Sequence, residues 1–122
     1  MGCAYHVLME FYYQDLDEKV LILSADGGLN ADTAEDFIRQ LESLIDIGVT
    51  RMIVDCTKLS YISSYGIGVL VRLHNKLAKK GGDVKVAAPQ STVLQALNMM
   101  RMGKVFSIYP DVDQARLAFR PK

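Results

Sequence analysis

The feature of this sequence that most constrains its fold is the alternation of short apolar runs with longer segments of helical periodicity. Two apolar runs, 7–13 and 19–25, come first, and apolar residues then recur at spacings of three and four over 32–48. Further short runs and helical segments alternate to the end of the chain. A helix that connects two strands usually leaves those strands parallel. The pattern therefore predicts an α/β fold in the order β-β-α-β-α-β-α-β-α, with a mixed, mostly parallel β-sheet of about five strands and about four helices.

The clearest predicted helix follows a short buried strand at 51–55. Its apolar stripe consists of Ile67, Leu70, Val71, Leu73 and Leu77. Gly81-Gly82 stops the segment. The other predicted helices begin at Asp32, which we expect to be the N-cap, near Ser91 and at Asp111, and the other predicted strands are 84–88 and 104–108. The helix from Ser91 is expected to reach about Met102.

Length and charge bound the class of protein. The chain has 122 residues, half of them apolar, which suffices for one hydrophobic core, so we expect a single domain over 1–122. Fourteen basic residues balance fourteen acidic ones, and the sequence lacks the positive excess that nucleic acid or an anionic membrane requires. No apolar run approaches the roughly 20 residues that span a bilayer, and the first thirty residues lack a basic start followed by an apolar core, so we expect no secretory signal. We expect a cytoplasmic protein, a monomer or weak dimer, that binds neither nucleic acid nor membrane.

Candidate catalytic side chains are few. Cys3 and Cys56 are far apart and have neither the spacing of metal ligands nor that of a disulfide framework. Cys56 follows an apolar strand, which is typical of a small buried side chain. Of the two histidines, His6 and His74, the second lies mid-helix, where a partly exposed surface position is the ordinary interpretation and a phosphocarrier role is the functional alternative. The sequence thus predicts no enzyme, no cofactor and no metal site.

Asp55 closes a strand at the position where receiver domains of the response-regulator type carry their phosphoacceptor. Such a site also needs an acidic pair after the first strand to bind a divalent metal, and a Lys after the last strand. Here the early acidic residues Asp15, Asp17 and Glu18 fall in a predicted turn. The end of the last strand, 108–110, supplies no Lys. We therefore expect Asp55 to accept hydrogen bonds from the loop that follows it.

Ser63 and Ser64 stand where the long helix begins. We expect Ser64 to be the N-cap, with its oxygen accepting a hydrogen bond from a backbone N–H near Gly66. Tyr65 and Gly66 follow, so a small accessible turn lies at the positive end of the helix dipole. A phosphate on Ser64 would add about −1.5 to −2 charges, which a helix N-terminus tolerates. The pattern favours a binding module with a modifiable serine.

Two segments resemble a known family. The run 52–70, MIVDCTKLSYISSYGIGVL, resembles the strand, turn and phosphorylatable serine of the STAS family, most closely of its stand-alone bacterial members, the anti-sigma factor antagonists. Gly27-Gly28-Leu29-Asn30 before Thr33-Ala34 is similar to the family's loop between the second strand and the first helix. The resemblance covers nearly the whole chain, and the predicted order of elements agrees with the STAS fold.

The resemblance implies a regulatory switch. The unmodified domain would bind an anti-sigma factor and so release a sigma factor. That anti-sigma factor would also be a serine kinase, which inactivates the antagonist by phosphorylation until a serine phosphatase restores it. The acceptor position falls on Ser64, with Ser63 as the alternative. The implied partner-binding residues are Asn30, Asp55, Ser63, Tyr65 and Gly66.

Three positions depart from the family's pattern. Well-characterised antagonists commonly carry Asp at the positions of Ser63 and Asn30, and a small residue at the position of Tyr65. Two acidic side chains near the acceptor are thereby replaced by neutral ones. Two alternatives stand beside the phosphorylation switch: a STAS scaffold or ligand-sensing domain without a phosphorylation cycle, and a phosphocarrier that acts through His74.

Overall fold

A computed structural model describes residues 8–15 and 20–119 of the protein. Its strands are β1 (Leu8–Asp15), β2 (Val20–Leu29), β3 (Arg51–Asp55), β4 (Leu59–Ile62), β5 (Asp83–Ala87) and β6 (Ser107–Tyr109). Its helices are α1 (Ala31–Asp46), α2 (Ser64–Ala78), α3 (Ser91–Met99) and α4 (Val112–Leu117). Cys3, His6, Asp17 and Glu18 lie outside the described residues, so the predicted turn between β1 and β2 is not described. Asp15, predicted in that turn, is the last residue of β1.

The strands form a mixed, mostly parallel sheet in the order β1-β2-β3-β5-β6. β1 pairs antiparallel with β2, and the other neighbouring pairs in this order are parallel. The α/β prediction and the four helices are confirmed. A further strand, β4, pairs in parallel with the last residues of β2 and was not predicted. Its buried residues, Leu59 and Ile62, enclose two exposed ones, so it shows no strict alternation.

The core is divided between the two faces of the sheet. On one face, side chains from α1, α2 and α3 pack on alternate strand residues, as Phe37, Leu70 and Leu97 do with Leu23 and Val54. The other face carries a smaller cluster, in which Ala115 of α4 packs on strand side chains: Val20, Ile22, Ile53 and Ala87. Alternate residues of the central strands are therefore buried on opposite faces, which explains why these strands read as continuous apolar runs.

Two predicted boundaries after β5 are wrong by about three residues, the end of α3 and the start of the last strand, whereas α3 begins at Ser91 and Asp111 caps α4 as predicted. α3 ends at Met99 and not near Met102, because Arg101 has a left-handed φ of 58° that ends the helix. A 3-10 turn over Met102–Lys104 follows, and the backbone N–H of Phe106 donates to the Met102 carbonyl at 2.9 Å. Phe106 is thereby buried in the core, and the last strand starts only at Ser107.

None of the helices in the described part of the chain is both long enough and apolar enough to span a bilayer.

Candidate functional site

Both long helices begin at the edge of the sheet where β2 ends. The parallel register aligns Ser24, Asp55 and Ala87 on neighbouring strands, and β2 continues beyond them to pair with β4. At the end of β4 the backbone N–H of Ser63 donates to the Leu29 carbonyl at 2.8 Å. The start of α2 is therefore tied directly to the residue that precedes the cap of α1.

Ser63, and not Ser64, is the N-cap of α2. Ser63 has extended backbone angles (φ −87°, ψ 170°), and its Oγ accepts a hydrogen bond from the Gly66 N–H at 3.1 Å. Its carbonyl accepts from the Ile67 N–H at 2.9 Å. The prediction that Ser64 caps the helix is wrong because Ser64 is already the first helical residue. The Ser64 side chain is exposed and has no hydrogen-bond partner within the described residues.

Gly66 allows α2 to begin against the end of β2. A Cβ at this buried position would lie 2.8 Å from the Leu29 carbonyl oxygen and 2.8 Å from Cγ1 of Ile62. Gly28 makes a similar close approach, because a Cβ there would lie 2.4 Å from the Tyr61 ring. Gly66 is needed for space because backbone blocks a Cβ there, whereas at Gly28 the exposed Tyr61 ring would have to turn aside.

Asn30 is the N-cap of α1, where the sequence predicted Asp32. Its Oδ1 accepts from the backbone N–H groups of Asp32 at 2.9 Å and Thr33 at 3.0 Å. Thr33 Oγ1 accepts from the Asn30 N–H at 2.9 Å and donates to the Gly28 carbonyl at 2.7 Å. These bonds complete a capping box. Asn30 therefore has a structural role at this edge.

Asp55 accepts hydrogen bonds from its own loop, as predicted. Its Oδ1 accepts from the Thr57 N–H at 3.1 Å and from the Thr57 hydroxyl at 2.6 Å. The loop is fixed further by Gln90, whose Nε2 donates to the Thr57 carbonyl at 2.7 Å, and by Thr92, whose hydroxyl donates to the Ser60 carbonyl at 2.7 Å. Within the described residues no three His, Cys, Asp or Glu side chains form a potential metal site. Asp55 thus orders the loop that leads to Ser63.

Tyr65 makes a contact that was not predicted from the sequence. Its hydroxyl donates to Oε2 of Glu35 on α1, and the same oxygen lies 3.8 Å from Nη1 of Arg72. The pKa of Tyr65 is raised, first because its hydrogen bond to Glu35 holds the proton, then through desolvation and the Glu35 charge, while Arg72 lowers it. Tyr65 and Glu35 are 30 residues apart, so no local spacing could have indicated the pair.

Neither the Cys56 thiol nor the His74 ring supplies a reactive group at this edge. Burial, with a contribution from the Asp55 charge, raises the pKa of the Cys56 thiol to about 12, so it stays protonated and unreactive near neutral pH. Its predicted burial is confirmed. His74 is half-buried: its Nδ1 lies 3.6 Å from Asp83 Oδ1, and its ring meets Phe106 edge-on at 5.9 Å. Ten residues of α2 separate it from Ser64, about 15 Å along the helix axis.

The structure brings together most of the residues predicted for the site. Ser63, Ser64, Tyr65 and Gly66 form the first turn of α2, and Asn30 is connected to them through Leu29. Asp55 lies at the same edge of the sheet, where the hydrogen bonds of its side chain within the described residues go to Thr57. The predicted residues thus form one surface, in which an exposed serine is surrounded by residues with structural roles.

Comparisons with known proteins identify the family of this chain. The STAS domain model matches residues 15–115. A candidate anti-sigma factor antagonist of Thermotoga maritima is 23% identical over 113 residues, which cover 92% of this chain and 99% of that protein. The crystal structure of an anti-sigma factor antagonist from Mycobacterium paratuberculosis has a TM-score of 0.86 at 19% identity and covers 99% of this chain and 100% of that one.

The fold is also that of SpoIIAA, an anti-sigma factor antagonist. Its unphosphorylated form gives a TM-score of 0.77 at 17% identity over 94% of this chain and 100% of that one. The phosphorylated form of the Bacillus protein gives a TM-score of 0.71 at 17% identity over 93% and 100%. Since the family model spans most of the sequence, the chain belongs to the STAS domain family.

Proposed function

We propose that this protein is an anti-sigma factor antagonist that binds a serine-kinase-type anti-sigma factor and is switched off by phosphorylation of Ser64. Family membership supports the general role, as do relatives described as anti-sigma factor antagonists. The observation that carries the phosphorylation step is the exposed hydroxyl of Ser64, which has no hydrogen-bond partner within the described residues and lies at the first residue of a 15-residue helix.

The two adjacent serines differ in their availability to a kinase. Ser63 Oγ is partly buried and accepts the Gly66 N–H at 3.1 Å. To accept a phosphoryl group, the Ser63 oxygen would have to leave or share this cap, which is typically worth about 1 kcal/mol. Ser64 makes no such bond in the described part of the chain, so its hydroxyl can turn towards an incoming phosphoryl group. This difference favours Ser64 as the acceptor.

The fold itself tolerates a phosphate at Ser64. The backbone N–H groups of a helix's first turn have no partners within the helix, and the dipole there favours negative charge. A partner bound over Ser64 would instead have to desolvate about −1.5 to −2 charges. If this desolvation costs about 3 kcal/mol, the affinity for the partner falls roughly a hundredfold. A single phosphate is therefore enough to separate the complex without unfolding the antagonist.

The remaining proposed partner-binding residues divide by role. Asn30, Asp55 and Gly66 shape the surface through the contacts described above. Ser63 and Tyr65 border Ser64 directly. Neutral Asn30 and Ser63 contribute no carboxylate beside the acceptor, so in our proposal the kinase supplies the groups that orient the hydroxyl.

The test uses purified protein and the serine-kinase anti-sigma factors encoded in the same genome. Each kinase is incubated with the chain and Mg-ATP, and phosphate is located by mass spectrometry. Calorimetry with ADP then compares the affinities of the free and phosphorylated forms. Phosphate on Ser64 with about a hundredfold weaker binding, reversed by a serine phosphatase, is the expected result.

Two variants serve as matched controls. Ser64→Ala should bind yet remain unmodified, whereas Ser63→Ala should still be phosphorylated. Binding without any phosphorylation would identify a scaffold domain and contradict the switch. Acid-labile phosphate on His74 would identify a phosphocarrier instead.

A further inference from the structure

Two exposed aromatic side chains flank the serine pair in the sequence. Within the described residues, the strongly exposed large apolar or aromatic side chains are Ile47, Tyr61, Tyr65, Met99, Met100 and Leu117. Tyr61 is 45% exposed and Tyr65 is 47% exposed, and both lie within three residues of Ser64. An apolar ring on each side of the acceptor in the sequence is an arrangement suited to a protein partner.

The Tyr65 ring is held in position by charged groups of α1 and α2. Its hydroxyl donates to Glu35, and Glu35 also faces Arg72. Arg72 Nη2 lies 3.6 Å from Glu42 Oε2, and the same oxygen lies 3.4 Å from Nζ of Lys76. Each exposed ion pair contributes little by itself. Glu35 gives the phenol a hydrogen-bond partner on the neighbouring helix, which favours one orientation of the ring.

The second exposed ring, that of Tyr61, lies over the backbone of Gly28. The ring covers Gly28 so closely that a Cβ there would lie 2.4 Å from it. β4 carries Tyr61 and is bonded to β2 through the Ser60 hydroxyl, which donates to the Gly27 carbonyl at 2.9 Å. The backbone that carries Tyr61 is thus fixed, and the Tyr65 ring has a hydrogen-bond partner, which lowers the side-chain entropy that Tyr65 loses on binding.

We propose that Tyr65, oriented by Glu35, is a specificity-determining residue that selects an anti-sigma factor with an apolar pocket beside the position of Ser64. This inference rests on the proposed function. Rigid aromatic side chains that enter a pocket often dominate the binding energy of an interface. A bulky ring also excludes partners whose contact surface has no pocket to receive it. The neighbouring phosphate would then fall at the border of an apolar contact, where its charge is least tolerated.

The experiment measures the affinity of four variants for the panel of purified serine-kinase anti-sigma factors with ADP. Tyr65→Ala removes the ring and should weaken binding to the selected partner at least about tenfold, and it should narrow the difference between that partner and the others. Tyr65→Phe and Glu35→Gln remove the hydrogen bond and keep the ring, so each should weaken binding by a smaller factor, about threefold. The double variant, with Tyr65→Phe and Glu35→Gln together, should bind no more weakly than either single variant, because both changes delete the same hydrogen bond.

Controls separate this role from folding and from general hydrophobicity. Met99→Ala removes an 84% exposed side chain at the far end of α3 and should leave affinity unchanged. Circular dichroism and Tm should show that every variant is folded. If Tyr65→Ala keeps both the affinity and the partner ranking, or if Met99→Ala weakens binding equally, the specificity role is wrong while the antagonist function stands. If the wild-type chain binds no member of the panel, the proposed function and this inference both fail.

Discussion

The two helix starts at the end of β2 are built from similar residues and differ in how completely their polar groups are used. At α1, Asn30 and Thr33 bond to each other's backbone, and Thr33 also bonds to Gly28. At α2, Ser63 supplies a single cap and Ser64 supplies none. The start of α1 is a closed structural joint. The start of α2 is held firmly by the backbone and keeps one hydroxyl exposed, which is what a site of reversible modification requires.

The largest expected effect comes from disrupting the close packing of the start of α2 against the end of β2. Gly66→Ala would place a Cβ 2.8 Å from the Leu29 carbonyl oxygen, and backbone cannot move aside cheaply. We expect the free energy of unfolding to fall by about 2 kcal/mol, measured by urea denaturation.

Gly68→Ala is the matched control for this change. It lies one half-turn further along the same helix, and a Cβ there meets nothing within 4 Å. It should raise the free energy of unfolding by about 0.5–1 kcal/mol through helix propensity alone. If both alanines stabilise the protein, α2 does not start against β2 as described.

The closed cap of α1 should be the next most sensitive point. Asn30→Ala deletes the acceptor of two backbone N–H groups and leaves the Thr33 half of the box alone. We expect a loss of about 1–2 kcal/mol in the free energy of unfolding. Asn30→Asp keeps the acceptor and places a negative charge at the positive helix end, so it should be at least as stable as the wild type. Equal losses in the two variants would show that Asn30 does not act as a cap.

The serine pair gives a smaller and more discriminating comparison. Ser63→Ala should lower the free energy of unfolding by about 1 kcal/mol, because it removes the cap. Ser64→Ala should change it by less than about 0.5 kcal/mol, because the side chain is exposed and makes no bond in the described part of the chain. The reverse order, with Ser64→Ala the more destabilising, would mean that Ser64 is the cap after all.

The sequence predicts the helices and strands well, and it predicts poorly how the start of one element contacts another. The reasons are physical. The stripe from Ile67 to Leu77 repeats every three or four residues, so α2 is readable from local pattern alone. Ser63 and Ser64 are both suitable N-caps by residue type. The choice between them depends on the bond from the Ser63 N–H to Leu29, more than 30 residues away.

β4 and the Tyr65 contact are harder still to predict. β4 has four residues and owes its existence to pairing with the end of β2. Tyr65 meets Glu35 only because α1 and α2 pack side by side. A sequence pattern reflects interactions between residues that are close in the chain. β4 and the Tyr65 contact depend on residues that are distant in the chain.

The smallest expected effect concerns the proton on Tyr65. The hydrogen bond to Glu35 raises the pKa of the Tyr65 phenol, and Arg72 opposes that shift. A difference titration of tyrosinate absorbance between the wild type and Tyr65→Phe isolates this group from the other tyrosines. Glu35→Gln should return the pKa towards its ordinary value of about 10, and Arg72→Gln should raise it further.

The sign of the effect on stability follows from the same shift. The native state holds the phenol proton more tightly than the unfolded state does. The stabilisation is therefore fully present below the unfolded pKa of about 10, and it is lost as pH rises through the folded pKa. If Glu35→Gln and Arg72→Gln move the pKa in the same direction, or leave it unchanged, the phenol is not held by Glu35. The Tyr65 side chain would then be as unconstrained as that of Ser64. Ser63 would be the side chain that is held by a hydrogen bond at the start of α2, where the structure shows both Ser63 and Tyr65 held.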